Sequence, residues 1–285
     1  MKVLKAFTLV ELLVVIAIVG LLSTIVLAVT SGVSNQGRIA KGLQFSQHLQ
    51  NTLGAEAVGI WNFDEGGTSS ATYDISGWGN NGTLVNSPVW RCANVNTGYT
   101  PSGQGCSLEF DGSTNYINIA GNSSLSPSSI TVSSWIKMDV NAPTARNIWL
   151  TKWNGYSLEI QDTSRIPYFR LYGPGDIYSN KALTLGKWQH FVGTYSATLG
   201  GRVYLDGELV GSIPPSGNIT HSIGNPLNIG RYAGGVYFDG WIDEVAIYST
   251  VMTVAQVRSQ YYVGLGRLLS EGLISEKEYR SRLFD

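Results

Sequence analysis

The sequence predicts a mainly β chain: an antiparallel β-sandwich head on an N-terminal transmembrane α-helix, with a short helical tail at the C-terminus. Three observations carry this reading. Leu12 to Val29 contains no charged residue and is long enough to span a bilayer core. From Ala57 to Tyr248, short apolar alternations end repeatedly in turn residues. The last twenty or so residues then return to helical punctuation, with Gly272 as a break and Ser275 to Glu278 as a capping pattern.

Composition agrees. Charged residues make up 14% of the chain, against roughly 25% in ordinary globular proteins. The 34 glycines, 15 tyrosines and 8 tryptophans suit many short strands and turns. The net charge of −1 gives no electrostatic reason to expect a nucleic-acid partner.

The N-terminus reads MKVLKAFTLVELLVVIAIVGLL, with Lys2 and Lys5 as the only charges before Phe7. A basic start keeps that end cytoplasmic. A carboxylate at Glu11 costs roughly 2.5 to 3.5 kcal/mol in hydrocarbon. Thr30, Ser31 and Gly32 also make a weak signal-peptide cleavage site, and a plain anchor whose Glu11 snorkels to the headgroups is a second option. The string KAFTLVELLVVIAIVGLL resembles the N-terminus of type IV prepilins and pseudopilins. That resemblance implies cleavage by a prepilin peptidase between Ala6 and Phe7. In a filament, Glu11 of one subunit would then pair with the new Phe7 amine of its neighbour. Two positions depart from the family: Ala6 stands where glycine is usual, and the helix-kinking proline is absent. The implied partners are the membrane, the peptidase and other pilin-like subunits. The implied location is the bacterial cytoplasmic membrane with the head outside, in a pilus or pseudopilus. The expected divisions are a leader at 1–6, a membrane helix at 7–30, a helical stalk at 31–53, a head at 54–262 and a tail at 263–285. Gly32, Gly37 and Gly42 leave a flexible stalk open as an alternative.

Within the head, the pairs Leu108/Phe110, Ile117/Ile119, Leu158/Ile160, Phe169/Leu171 and Val203/Leu205 alternate as strands do, as does the series Ile130, Val132, Ile136. VYLDGELV places Asp206-Gly207 between alternating apolar positions, a type I′ hairpin pattern. WNFDEGG, DISGWGNNGTL, SLEFDGSTNYINI, KWQHFVGTYS, LNIGR and FDGWIDEVAIYS, in this order, resemble the laminin-G-like, or concanavalin-A-like, jelly-roll family. The resemblance implies two stacked antiparallel sheets with the first and last strands adjacent. It also implies core packing for Trp61, Trp135, Trp188 and Trp241, and one structural calcium near Asp64, Asp74 and Asp243.

No catalytic residue is expected. Glycosidases need two facing carboxylates, and the glucanases of this fold string Glu-x-Asp-x-Glu along one strand. Here Glu109 and Asp111 alternate but Ser113 follows, Asp243 and Glu244 point to opposite faces, and His48, His190 and His221 are scattered. Trp78, Trp153, Tyr172, Tyr178 and Tyr232 lie in turn-rich stretches and are the candidates for stacking on sugar. In an exported head, Cys92 and Cys106 would form a disulfide worth roughly 3 kcal/mol by chain entropy. The patterns at Asn81, Asn122 and Asn218 read as turn chemistry. GRLLSEGLISEKEYRSRLFD resembles the short C-terminal (SHOCT-type) module, able to dock on the head or on another protein. The expected function is a membrane-anchored, pilin-like surface protein, a minor pilin or pseudopilin displaying a domain that recognises glycan or protein. The alternatives are an anchored lectin that does not polymerise and a divergent glycan hydrolase.

Overall fold

The computed structural model describes residues 53–92, 105–142, 147–161 and 163–284. The leader, the membrane helix and all of the stalk before Leu53 lie outside the described residues, and with them Ala6, Phe7 and Glu11. The chain divides into two compact units, Met1–Gln47 and His48–Asp285, and everything described belongs to the second. Among the described residues, no helix is long and apolar enough to cross a membrane.

The strands run, in chain order, β1 (Ala57–Trp61), β2 (Ala71–Thr72), β3 (Gly82–Val85), β4 (Val89–Cys92), β5 (Cys106–Asp111) and β6 (Tyr116–Ile119). They continue with β7 (Ile130–Met138), β8 (Asn147–Lys152), β9 (Tyr156–Ile160), β10 (Pro167–Leu171), β11 (Ile177–Tyr178) and β12 (Gln189–Ser196). The last are β13 (Gly200–Leu205), β14 (Glu208–Ile213), β15 (Leu227–Ile229), β16 (Arg231–Tyr232), β17 (Val236–Tyr237) and β18 (Asp239–Tyr248). The first sheet has the order β14-β13-β12-β7-β18-β5-β4, with β1 also paired to β18. The second has the order β11-β10-β9-β8-β15-β6-β3-β2, and β16 and β17 form a separate hairpin. The pairing of β1 with β18 is antiparallel and sets the first and last strands side by side, as the resemblance implied.

Alternation explains the layering. In β7, Ile130, Val132, Ile136 and Met138 enter the core between the sheets, while Thr131, Ser133 and Trp135 face out. Leu108, Phe110, Ile117, Ile119, Leu158, Ile160, Phe169, Leu171, Val203 and Leu205 all join that core. Asp206 (φ 53°) and Gly207 (φ 79°) both take the left-handed conformation that a type I′ turn requires. Cys92 and Cys106 are disulfide-bonded, at the paired ends of β4 and β5. Two of the three asparagines act in turns: Asn122 caps a 3-10 turn by accepting the Ser124 N–H, and Asn81 accepts that of Asp74.

The C-terminal segment is part of the head. Helix α1 (Val254–Ser270) runs through position 263, so the expected division between head and tail falls inside one helix. Its start is the expected capping box: Thr253 Oγ1 accepts the Gln256 N–H at 3.3 Å, and Gln256 Oε1 accepts that of Thr253 at 2.7 Å. Gly272 (φ 72°) ends it, and Ser275 Oγ then accepts the Glu278 N–H as α2 (Glu276–Phe284) begins. Both helices lie on the outer face of the first sheet. There Trp135 and Trp188 are buried with Tyr261, Leu265 and Leu268, while Leu273, Ile274, Tyr279 and Leu283 close the edge. Of the four tryptophans expected on strands, Trp188 just precedes β12 and only Trp61 lies between the sheets; Trp241 is half-buried beside the same helices, with the Lys137 ammonium 4.4 Å over its ring. Gly264 approaches Trp135 so closely that a Cβ there would enter the indole. Arg282 fastens α2 by donating to the Trp188 carbonyl at 2.8 Å and to the Tyr261 hydroxyl at 3.2 Å, with Asp206 3.4 Å away.

His190 sits inside this seal, its ring 5.2 Å from Trp135 and 6.4 Å from Tyr261. Its Nε2 meets Ser133 Oγ at 2.9 Å, and that hydroxyl donates onward to Gln260 Oε1 at 3.3 Å. The chain of bonds is satisfied with the proton on Nε2, which leaves Nδ1 buried without a partner. A second proton would have to sit on Nδ1, so burial drives the pKa down to about 3. A depressed folded-state value means that His190 stabilises the fold fully above the unfolded value of about 6.5. That contribution is lost as pH falls from 6.5 towards 3, with a ceiling of about 5 kcal/mol. Denaturant melts of the full chain in detergent should therefore show stability falling below pH 6.5. The slope should be distinctly shallower in His190→Gln, and equal slopes would contradict this account.

Candidate functional site

With helices on the first sheet, strand register decides what lies on the outer face of the second. Arg170 pairs with Ser157, Ser157 with Thr151, Thr151 with Asn228, Asn228 with Asn118, and Asn118 with Thr83. Their neighbours along each strand fill the core, so this is one transverse row of polar side chains on the outer face. A second row runs Tyr178, Tyr168, Glu159, Ile148. The middle of the face is buried and internally bonded. The Ser157 and Tyr168 hydroxyls donate to the Glu159 carboxylate, and Asn118 Nδ2 donates to Asn228 Oδ1 at 3.1 Å.

The two ends are open. At one, Tyr178 is 44% exposed and stacks on Tyr168 at 4.9 Å. Arg170 there donates to the Tyr168 hydroxyl at 3.0 Å and to Asp176 at 3.3 Å, with Glu159 3.8 Å away. Burial disfavours the Arg170 charge, but Glu159, Tyr168 and Asp176 outweigh it and hold the pKa above its ordinary value. Burial and the Asp176 charge together raise that of Tyr178. Toward the other end, the β16–β17 hairpin folds back along β8. Tyr232 meets Trp153 at 5.0 Å, while Arg231 lies 4.2 Å over the Tyr116 ring and 5.9 Å from that of Tyr237. Lys152 builds this end from below: its buried ammonium donates to the carbonyls of Asn225 at 2.8 Å and Ser222 at 3.2 Å, and Asn225 Nδ2 donates to the Trp153 carbonyl.

The structure therefore groups four of the five candidate aromatics with the second sheet. Trp153 and Tyr232 pair, Tyr178 rests on Tyr168, and Tyr172 follows β10 with its N–H bonded to the Gly155 carbonyl. Trp78 stands apart. It is 57% exposed in the turn between β2 and β3, beside the exposed Tyr73 and Ile75.

The carboxylates expected around calcium do not come together. Asp74 Oδ1 accepts the N–H groups of Ile60 and Ser76 and Oδ2 that of Asn80, so both oxygens already serve the backbone. Asp243 Oδ1 accepts the Glu244 N–H at 2.8 Å. Asp64 accepts from Asn62 at 2.6 Å; burial and then the Glu65 charge raise its pKa, with the Arg267 cation opposing them. Among the described residues, no three His, Cys, Asp or Glu side chains are arranged to hold a metal. The carboxylates weighed for hydrolysis are likewise engaged in structure. Glu109 pairs with Arg91. Asp111 would be raised by burial, but the N–H groups of Thr114, Ser113 and Asn115 and the Thr114 hydroxyl hold its carboxyl well below the usual range. The Asp243–Glu244 step is a bulge, with Glu244 at φ 50° and paired to Arg267 at 3.5 Å.

Arg170, Tyr168, Tyr116, Arg231 and Tyr237 were not singled out from sequence. Only cross-strand register and the folded-back hairpin bring them onto one face. The one available signal was Gly230 in LNIGR, whose φ of 83° and contact with the Phe110 ring leave room for glycine alone.

Comparison with known proteins gives two family matches. Residues 1–27 match the prokaryotic N-terminal methylation motif, and residues 111–258 match the concanavalin A-like lectin/glucanases superfamily. None of the curated proteins matches the sequence. Domain 4 of the GH43 extracellular arabinanase AbnA from Geobacillus stearothermophilus, solved with arabinotriose, is similar with a TM-score of 0.55 and 16% identity. The match covers 73% of this chain and 98% of that one. The ligand-binding domain of botulinum neurotoxin serotype D, solved with N-acetylneuraminic acid, gives 0.57 and 12%, over 76% of this chain and 53% of that one. Botulinum neurotoxin type C, whose cell entry depends on two ganglioside molecules, gives 0.58 and 11%, over 75% and 53%. The chain thus spans about half the length of the toxin fragments. At such identities these structures show the fold. With its matched region covering just over half its length, the chain belongs to the concanavalin A-like lectin/glucanase superfamily.

Proposed function

We propose that this is a pilin-type, membrane-anchored surface protein whose sandwich binds glycan on the outer face of the second sheet. The observation that carries the reading is the two aromatic clusters on that face, Tyr168 with Tyr178 at one end and Trp153 with Tyr232 toward the other, with half-buried Arg170 and Asn118 and exposed Thr83 as the accessible polar members of the row. Hydroxyl and amide groups suit sugar hydroxyls, and aromatic faces suit the C–H faces of pyranose rings. Support comes from the relatives, whose ligands include arabinotriose and N-acetylneuraminic acid. A hydrolytic role has less support, because Glu109, Asp111 and Glu244 are engaged in structural contacts. The methylation motif supports processing before Phe7 and assembly through the N-terminal helix, with Glu11 as the partner of a neighbour's amine. The engaged oxygens of Asp74 argue against calcium as a requirement for binding.

Two measurements check this. On a glycan array, the full chain in detergent should retain a defined set of glycans. Tyr178→Ala and Tyr232→Ala should each weaken binding about threefold to tenfold, the range of one aromatic contact. Trp78→Ala and added EDTA should each leave binding within about twofold. Loss on Trp78→Ala alone, or no glycan retained, would overturn the reading. N-terminal sequencing of the protein from membranes should begin at Phe7, whereas a start at Met1 or near residue 31 would contradict pilin-type processing.

A further inference from the structure

Arg91, Arg170, Arg267, Arg280 and Arg282 each lie beside a carboxylate. Arg165, Arg202, Arg258 and Arg231 have no such partner among the described residues, and of these four only Arg231 has a buried guanidinium nitrogen without a hydrogen bond and lies over aromatic rings. For Arg231, the rings take the place of a carboxylate. Its Nε is buried without any hydrogen-bond acceptor, although a guanidinium carries five N–H donors. Two tyrosine rings hold it instead, Tyr116 at 4.2 Å and Tyr237 at 5.9 Å, with their own centroids 6.4 Å apart. Ring faces steady a cation but leave its in-plane donors unused.

The backbone fixes the group as firmly as the rings do. Gly230 N–H bonds to the Trp149 carbonyl at 2.9 Å, and the Gly230 carbonyl accepts the Phe238 N–H at 2.9 Å. Arg231 then pairs in register with Tyr237, which closes the hairpin around it. A half-buried cation, pre-positioned and without an anion, is a receptor waiting for one. The partner that best matches the planar fork is a carboxylate, which takes two parallel N–H bonds. Asn118, on the same face and beside Tyr116 in β6, has its amide nitrogen on Asn228 and its carbonyl oxygen left to accept from a neighbouring hydroxyl.

We infer that Arg231, walled by Tyr116 and Tyr237, is the anion receptor of this face, and that the glycan bound there carries a carboxylate. The inference rests on the glycan-binding reading above, and names the ligand class for it. A charge-assisted bidentate contact of this kind corresponds to about tenfold to a hundredfold in affinity.

The test measures binding of the full chain, in detergent, to oligogalacturonides, hyaluronan oligosaccharides and sialyllactose. Each is set beside its own methyl ester, with a sulfated oligosaccharide and poly-glutamate as further arms. At least one acid should bind about tenfold or more tighter than its ester. Arg231→Gln should bring that ratio close to one, and Arg231→Lys should restore part of it; a denaturation midpoint near wild type would show that the fold is intact. Equal binding of acid and ester by the wild type would overturn the inference while leaving the glycan reading in place. So would a ratio that Arg231→Gln does not change. Tighter binding of the sulfated sugar or of poly-glutamate would also overturn it, by assigning the receptor to sulfate or to acidic peptide. If no sugar of any kind binds, the glycan reading falls, and the inference with it.

Discussion

The stack of Trp135, His190 and Tyr261 is the contact on which the arrangement of the head depends. A two-sheet sandwich has two outer faces, and residues such as Trp135 and Val192 would make that of the first sheet an apolar surface open to water. The C-terminal helices cover it. Tyr261 lies nearly parallel to the Trp135 ring at 5.8 Å, Gly264 admits the indole against the helix backbone, and Arg282 ties the second helix to the Trp188 carbonyl. A buried neutral histidine within the stack makes the seal sensitive to acid, because a proton added at Nδ1 would leave a buried cation whose new N–H has no acceptor among the described residues.

Sealing one face is consistent with the proposed placement of the ligand on the other. On the second sheet the polar side chains are ordered before any ligand arrives: Glu159, Ser157, Tyr168 and Arg170 hold one another, and Lys152 holds the loop beneath Trp153. Preorganisation of this kind lowers the entropy lost on binding, which matters for sugars that offer little apolar area. The two open ends differ in charge balance. Arg170 is neutralised by Asp176 and Glu159, whereas among the described residues Arg231 meets rings and no carboxylate. That asymmetry gives the face a direction along which an acidic glycan could be read.

Much of the fold was legible in the sequence because it is local. Apolar alternation marked Leu108, Phe110 and their counterparts as core, Asp206-Gly207 specified its turn through two left-handed residues, and Thr253 with Gln256 announced a helix start. The candidate site was legible only in part. Turn-rich context flagged Tyr178, Trp153 and Tyr232, yet it flagged Trp78 equally, since exposure and grouping depend on which strands become neighbours. Asp74 looked like a metal ligand for the same reason: an acidic turn residue and a backbone-capping one share a local sequence, and only the partners of its oxygens separate them. Arg231 and Tyr116 lie more than a hundred residues apart, and nothing local in either segment announces that pair.

The central claim is that the outer face of the second sheet, and not the sealed one, receives the ligand. Hydrogen–deuterium exchange of the full chain, with and without a bound oligosaccharide, tests it most directly. The account predicts added protection in 168–178, 153–157 and the 231–237 hairpin, with the helices at 254–284 unchanged. Protection confined to those helices, or to the turn at 73–79, would contradict it.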